Sequence, residues 1–194
     1  MSVQILGNLA YGSIFREAQQ WDWTPAHLVS TRYGGTVSSH QHTDGVAADR
    51  AAIADIVRTF FAAFTSGPDS AARLDALRAA FLPEAVIIRT CGGEPAVYDL
   101  DSFIAPRQAL LSGGTLVDFR EWELSGHTEM FGDIAQHFCG YAKAGVQDGK
   151  PFTARGMKTL QFIRTSAGWR ISAAAWDDER DGLRIEPDAP RPAY

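Results

Sequence analysis

Cysteine is scarce. The 194 residues hold only Cys91 and Cys139, far apart in the chain. Two thiols so placed make no disulfide framework and read as the reduced cysteines of a cytoplasmic protein. The opening residues, MSVQILGNLAYGSIF, lack a basic stretch leading into a long apolar one, so no secretory leader is expected. No stretch reaches the ~18 apolar residues that a membrane span needs. A basic excess is missing too: 18 Lys and Arg face 23 Asp and Glu, a formal charge of -5. That balance excludes a nucleic-acid face. There is no G-x-S-x-G elbow, no Gly-rich phosphate loop and no Cys-x-x-Cys pair. Serine-elbow hydrolases and nucleotide-binding folds are disfavoured accordingly, and no cofactor is expected.

What the chain does have is apolar side chain, 45% of residues, enough for a real core in one domain. Residues 1–48 show no sustained periodicity and read as an irregular extension. Trp21 and Trp23 within them suit docking on the domain or on a partner chain. His40, His42 and Asp44 offer metal-ligand types, but in a stretch too loose to hold a metal rigidly, so none is expected. From Asp49, a plausible cap, Ile53, Ile56, Val57, Phe60, Phe61 and Phe64 trace one apolar helical stripe, which Gly67-Pro68 ends. A second helix follows from about Ser70, with Leu74, Leu77 and Phe81 on one face, up to Pro83.

The period then changes. Ala85–Cys91 is β-branched and reads as a strand, turned at Gly92–Pro95 into the short strand Ala96–Tyr98. Asp99 or Asp101 caps a third helical piece whose main segment, Pro106–Leu111, starts on its proline. Four strands follow, over about 116–125, 134–144, 152–164 and 169–176. Asp148-Gly149 marks a hairpin turn among them. Such long sequential strands curl as their twist accumulates. The organised domain spans 49–178, and the proline-bearing tail 179–194 is expected to be mobile.

Helix, helix, strand pair, helix, then a long meander: this order resembles the nuclear-transport-factor-2-like superfamily, in its SnoaL-like branch. Three passages carry the likeness. They are the aromatic-striped first helix, the passage Phe81-Leu82-Pro83-Glu84-Ala85-Val86 into a strand, and the closing hairpin from Thr159 through Gly168-Trp169-Arg170-Ile171. The resemblance implies an α+β fold in which a cone-like curved antiparallel sheet wraps around three N-terminal helices. It also implies a conical, barrel-like cavity for a small hydrophobic or aromatic molecule, and a homodimer through the sheet.

Three residues could serve acid–base chemistry in such a cavity. His137, in the second long strand, has a neutral-range pKa suited to a general base. Asp177, beside Trp176 at the end of the last strand, could shuttle a proton, or simply belong to the charge run Asp177–Arg180. Tyr98 could donate to a ligand oxygen or be a core tyrosine with a satisfied hydroxyl. Phe60, Phe64, Trp122 and Trp176 supply aromatic wall. Arg107 could reach an anionic ligand, though an ion pair with Glu121 or Glu123 is favoured. Arg155 and Lys158 point to opposite sides of their strand, so at most one faces the cavity. Two functions stay open: a cofactor-independent isomerase, dehydratase or cyclase, and a non-catalytic ligand-binding or dimeric assembly module.

Overall fold

Asp49 does not cap the first helix. Its carboxylate accepts hydrogen bonds from Arg164 and from the Trp169 indole, and so staples the helix to the last hairpin. In the computed structural model, which describes residues 39–185, α1 (Ser39–Ala63) starts well upstream of Asp49. Trp21 and Trp23 lie outside the described residues, as do the side chains of His40, His42 and Asp44. Ile53, Val57, Phe60, Phe61 and Phe64 are all buried, as their spacing requires.

The helix α2 (Ser70–Ala80) buries Leu74 and Leu77. Phe81 already belongs to β1 (Phe81–Arg89), ahead of Pro83. After β2 (Ala96–Tyr98) comes α3 (Leu100–Ser112), capped by Asp99, whose side chain accepts from the Ser102 amide at 2.8 Å. Pro106 sits inside α3 rather than at its start. Burial of Phe103, Ile104 and Leu111 outweighs the helical bond that proline forgoes. Then come β3 (Leu116–Phe131), β4 (Ile134–Gln147), β5 (Lys150–Thr165) and β6 (Gly168–Asp178), each longer than its apolar pattern indicated. Asp148 and Gly149 both have positive φ, +50° and +75°, as the two-residue β4–β5 hairpin demands.

The six strands run β2-β1-β6-β5-β4-β3 in one curved sheet. Two expectations need correction. The sheet is mixed rather than wholly antiparallel, because β1 pairs with β6 in parallel. It is also not a barrel: β2 and β3 remain edges and the sheet does not close. At the start of the 179–194 tail the Ile185 amide donates to Glu179, and Arg180 and Leu183 form a backbone bridge. No helix among the described residues is long and apolar enough to cross a membrane.

The helices cover one face of the sheet. Cross-strand registers show which residues share it. Arg89, Trp176, Lys158 and Cys139 form one row across β1, β6, β5 and β4. A neighbouring row holds Ala174, Leu160, His137 and Thr128. Bulges reset the alternation on β3. An extra residue between Val117 and Arg120, where Asp118 takes φ +51°, turns Phe119, Glu121 and Glu123 inward. A second extra residue, between Glu123 and Ser125, turns Gly126 and Thr128 inward.

Candidate functional site

A cavity of about 270 Å³ lies between this sheet face and the helices α1 and α3. Its apolar wall is aromatic. Phe60 comes from α1 and Phe64 from the residue just after it, Phe103 from α3, and Phe119, Phe152 and Trp176 from the sheet. The walls are braced by edge contacts: Phe64 and Phe103 centroids stand 6.0 Å apart, Phe103 and Trp176 5.9 Å. The start of β3 is tied to the segment that follows α1. The Ser66 amide donates to the Phe119 carbonyl at 2.9 Å, and the Glu121 amide to the Phe64 carbonyl at 3.0 Å. These bonds hold Phe119 and Glu121 at the cavity.

Lys158 and Glu121 both line it. The Lys158 ammonium donates to Glu121 Oε1, and the two side chains are only 4% and 10% exposed. Rings surround the ammonium: Tyr141 at 4.4 Å, Phe60 at 4.6 Å, Phe61 at 5.2 Å, Phe64 at 5.5 Å and Trp176 at 5.9 Å. The negative ring faces and one carboxylate together stabilise a charge that burial alone would penalise. Alternation on β5 carried a signal for this. Lys158 shares the inward parity of Leu160 and Phe162, both buried, so it is a lysine in an apolar row.

A second network borders the first. Lys143, also at the cavity, donates to both Asp178 oxygens at 2.9 Å, and the Tyr141 hydroxyl donates to Asp178 as well. Burial pushes the Tyr141 phenol well above its ordinary value, and the Asp178 bond adds to this. For Asp178, burial favours protonation, yet the bonds from Tyr141 and Lys143 prevail and hold its pKa below the ordinary carboxylate value.

Arg107 stands half-buried in the lining, its guanidinium 3.7 Å from the Phe103 ring centroid and donating to the Phe103 carbonyl at 2.7 Å. It forms no ion pair with Glu121 or Glu123: Lys158 holds the first and His137 meets the second. Burial lowers the Arg107 pKa to about 10.

The other residues singled out from sequence are placed as follows. Phe60, Phe64, Arg107 and Trp176 come together in the cavity lining. Trp122 lies on β3 between the inward Glu121 and Glu123, beneath the Arg120 guanidinium at 4.7 Å. Tyr98 lies behind the wall, 6.4 Å from Phe103. Asp177 has the opposite parity to Trp176 and pairs with Arg180 at 2.6 Å. His137 faces inward, further along β4 from Lys143. It is buried, with Nε2 3.1 Å from Glu123 and Nδ1 3.0 Å from the Thr128 hydroxyl. Arg89, Lys143, Phe103, Phe119, Phe152 and the Lys158–Glu121 pairing were not singled out at all.

Glu123, His137 and Cys139 bring one oxygen, one nitrogen and one sulfur within 4.8 Å of one another. A metal there would need the Cys139 thiolate, and burial pushes that thiol up to about 12. Both His137 nitrogens are already engaged. The trio reads as a buried thiol packed beside the Glu123–His137–Thr128 hydrogen bonds.

No protein-family model and no curated protein sequence matches the chain. Solved structures do resemble it. A nuclear-transport-factor-2-like protein with a cystatin-like fold from Novosphingobium aromaticivorans aligns with a TM-score of 0.56 at 17% identity, over 74% of this chain and 91% of its own. A nuclear-transport-factor-2-like superfamily protein from Salmonella enterica aligns with a TM-score of 0.58 at 13% identity, over 74% and 99%. A hexachlorocyclohexane dehydrochlorinase from Novosphingobium barchaimii aligns with a TM-score of 0.57 at 15% identity, over 76% and 99%.

Proposed function

We propose that this chain, which has the nuclear-transport-factor-2-like fold, binds a small, mainly apolar molecule between helices and sheet and moves a proton within it, without a cofactor. The observation that carries this reading is the Lys158–Glu121 pair, buried yet lining the cavity. An apolar pair of similar volume would often hold the core at least as well. Two ionisable groups converging on an aromatic pocket are what acid–base catalysis needs. Glu121 would take a proton from the carbon beside a substrate carbonyl. The Lys158 ammonium would stabilise the charge that develops on the carbonyl oxygen. Returning the proton to a different carbon gives an isomerisation, and loss of a neighbouring leaving group gives an elimination. Phe60, Phe64, Trp176 and Arg107 would hold the substrate. Tyr98, Asp177 and His137, outside the cavity lining, have no part in this assignment. The dehydrochlorinase among the structural neighbours is consistent with an enzyme on this fold, and the unpaired Cys91 and Cys139 suit the cytoplasm.

The test is proton–deuterium exchange in D₂O, followed by NMR, over a panel of small cyclic ketones. The reading expects exchange at the carbon next to the carbonyl with the native chain, and its loss in Glu121→Gln. Ketones that bind without exchanging would overturn the catalytic reading and leave a binding module.

One observation favours an assembly role beside this. Val86 and Phe138, on the sheet face turned away from the helices, are 44% and 40% exposed. A second copy of the chain would cover them. Sedimentation of Phe138→Glu against the native chain checks this: a dimer that becomes a monomer supports it, and two unchanged monomers refute it.

A further inference from the structure

The cavity lining carries four basic side chains, Arg89, Arg107, Lys143 and Lys158, against one acidic one, Glu121. The chain as a whole is acidic, with a formal charge of -5, so this concentration of positive charge runs against the average. Two of the cations have their counter-charge: Lys158 holds Glu121 and Lys143 holds Asp178. Arg89 and Arg107 have no carboxylate partner among the described residues.

Arg107 lies close over Phe103, with Trp176 and Tyr98 at 5.7 and 5.8 Å from its guanidinium carbon. Among the described residues its one hydrogen bond is to the Phe103 carbonyl. A guanidinium presents five donors in a plane, so most of them have no partner among the described residues, and Arg107 lines the cavity. Arg89 also lines the cavity and is exposed, in register with Trp176 on the adjacent strand. Its like charge adds to the strain of burial on Arg107. An anion between the two would offset both the burial and the repulsion. The aromatic walls leave an apolar space beside that point, with the Lys158–Glu121 pair on its inner side.

We infer that the ligand is a small aromatic or alicyclic carboxylate, its acid group held by Arg107 and Arg89 and its ring packed among Phe103, Phe119, Phe152 and Trp176. A carboxylate matches the planar fork in two parallel bonds, which a neutral amide of the same shape cannot do. The inference rests on the cavity being a ligand site, as proposed above, and adds the chemical class.

The test is calorimetric titration of the full chain with two matched pairs, benzoate against benzamide and cinnamate against cinnamamide. The acids should bind at least about tenfold tighter than their amides, the ratio set by one charge-assisted hydrogen bond. The preference should shrink as salt is raised. Arg107→Gln should remove most of that preference, acid affinity falling further than amide affinity, and Arg107→Lys should restore only part, having charge without the fork. Circular dichroism melts show whether each variant is folded, and the native preference is decisive even where one is not. Amides that bind as tightly as acids would overturn the carboxylate inference while the cavity reading stands. Absence of binding by all four compounds would overturn both.

Discussion

Lys158 on β5 and Glu121 on β3 are ion-paired across β4, which separates their strands. Adjacent strands lie about 4.8 Å apart, so only two long side chains leaning toward each other span that gap. Trp176, Phe60 and Tyr141 close around the contact. Lys158→Met would leave Glu121 buried without a counter-charge and is expected to cost about 3–5 kcal/mol. The double variant Lys158→Met, Glu121→Leu should recover most of that loss. Urea unfolding of the single and double variants measures both, and a single variant as stable as the native chain would show that Glu121 finds another partner.

Asp178 makes the fold acid-sensitive. Its pKa is held below the ordinary value because the Tyr141 and Lys143 bonds outweigh burial. A depressed carboxylate stabilises the fold above the unfolded value of about 4 and loses that contribution as pH falls through the lower folded value. The native melting temperature should fall across that window. Asp178→Asn should start lower at pH 7 and fall less. Parallel slopes for the two proteins would remove Asp178 from the acid transition.

Two glycines make room for these networks, unequally. A Cβ at position 156 would stand 2.3 Å from the Asp177 carbonyl oxygen and 2.7 Å from the Tyr141 hydroxyl. At position 126 it would stand 2.1 Å from Glu123 Oε1 and 2.7 Å from the His137 ring. A carboxylate end can swing away more easily than a strand carbonyl. Both alanine variants should lose stability within the roughly 1–3 kcal/mol of overpacking, Gly156→Ala more than Gly126→Ala. Denaturant midpoints rank them, and the reverse order would mean the hairpin backbone yields more readily than the Glu123–His137 contact.

Cys139 should be chemically silent in the folded chain. It is 1% exposed, and burial lifts its thiol from 9.0 to about 12. With the folded value raised, the neutral thiol favours folding below 9.0 and that advantage is lost as pH climbs toward 12. Iodoacetamide at pH 8 should modify the half-buried Cys91 first and Cys139 only at the rate of unfolding. Mass spectrometry of timed samples decides, and equal rates would show that Cys139 is reached by local opening.

Much of the fold was legible because its signals are local. The stripe from Ile53 to Phe64 needs only helical spacing, and Asp148-Gly149 only the turn's positive φ. Asp49 was legible as a terminus signal but belongs elsewhere, since Arg164 and Trp169, far along the chain, take its carboxylate. A smaller part of the candidate site could be read in the same way, as Phe60 and Phe64 follow from their stripe.

The chain's own pattern determined the elements, their order and the apolar face of α1, because propensity and periodicity act over a few residues. Only the tertiary structure decided which strand residues meet in the cavity. Parity is counted from a register, and each bulge on β3 shifts that count, so Glu121 and Glu123 face inward with Gly126 and Thr128 although their parities differ. The parallel pairing of β1 with β6, which sets Arg89 beside Trp176, joins segments far apart in the chain. Long-range packing alone rewards that contact, and nothing in either segment encodes it.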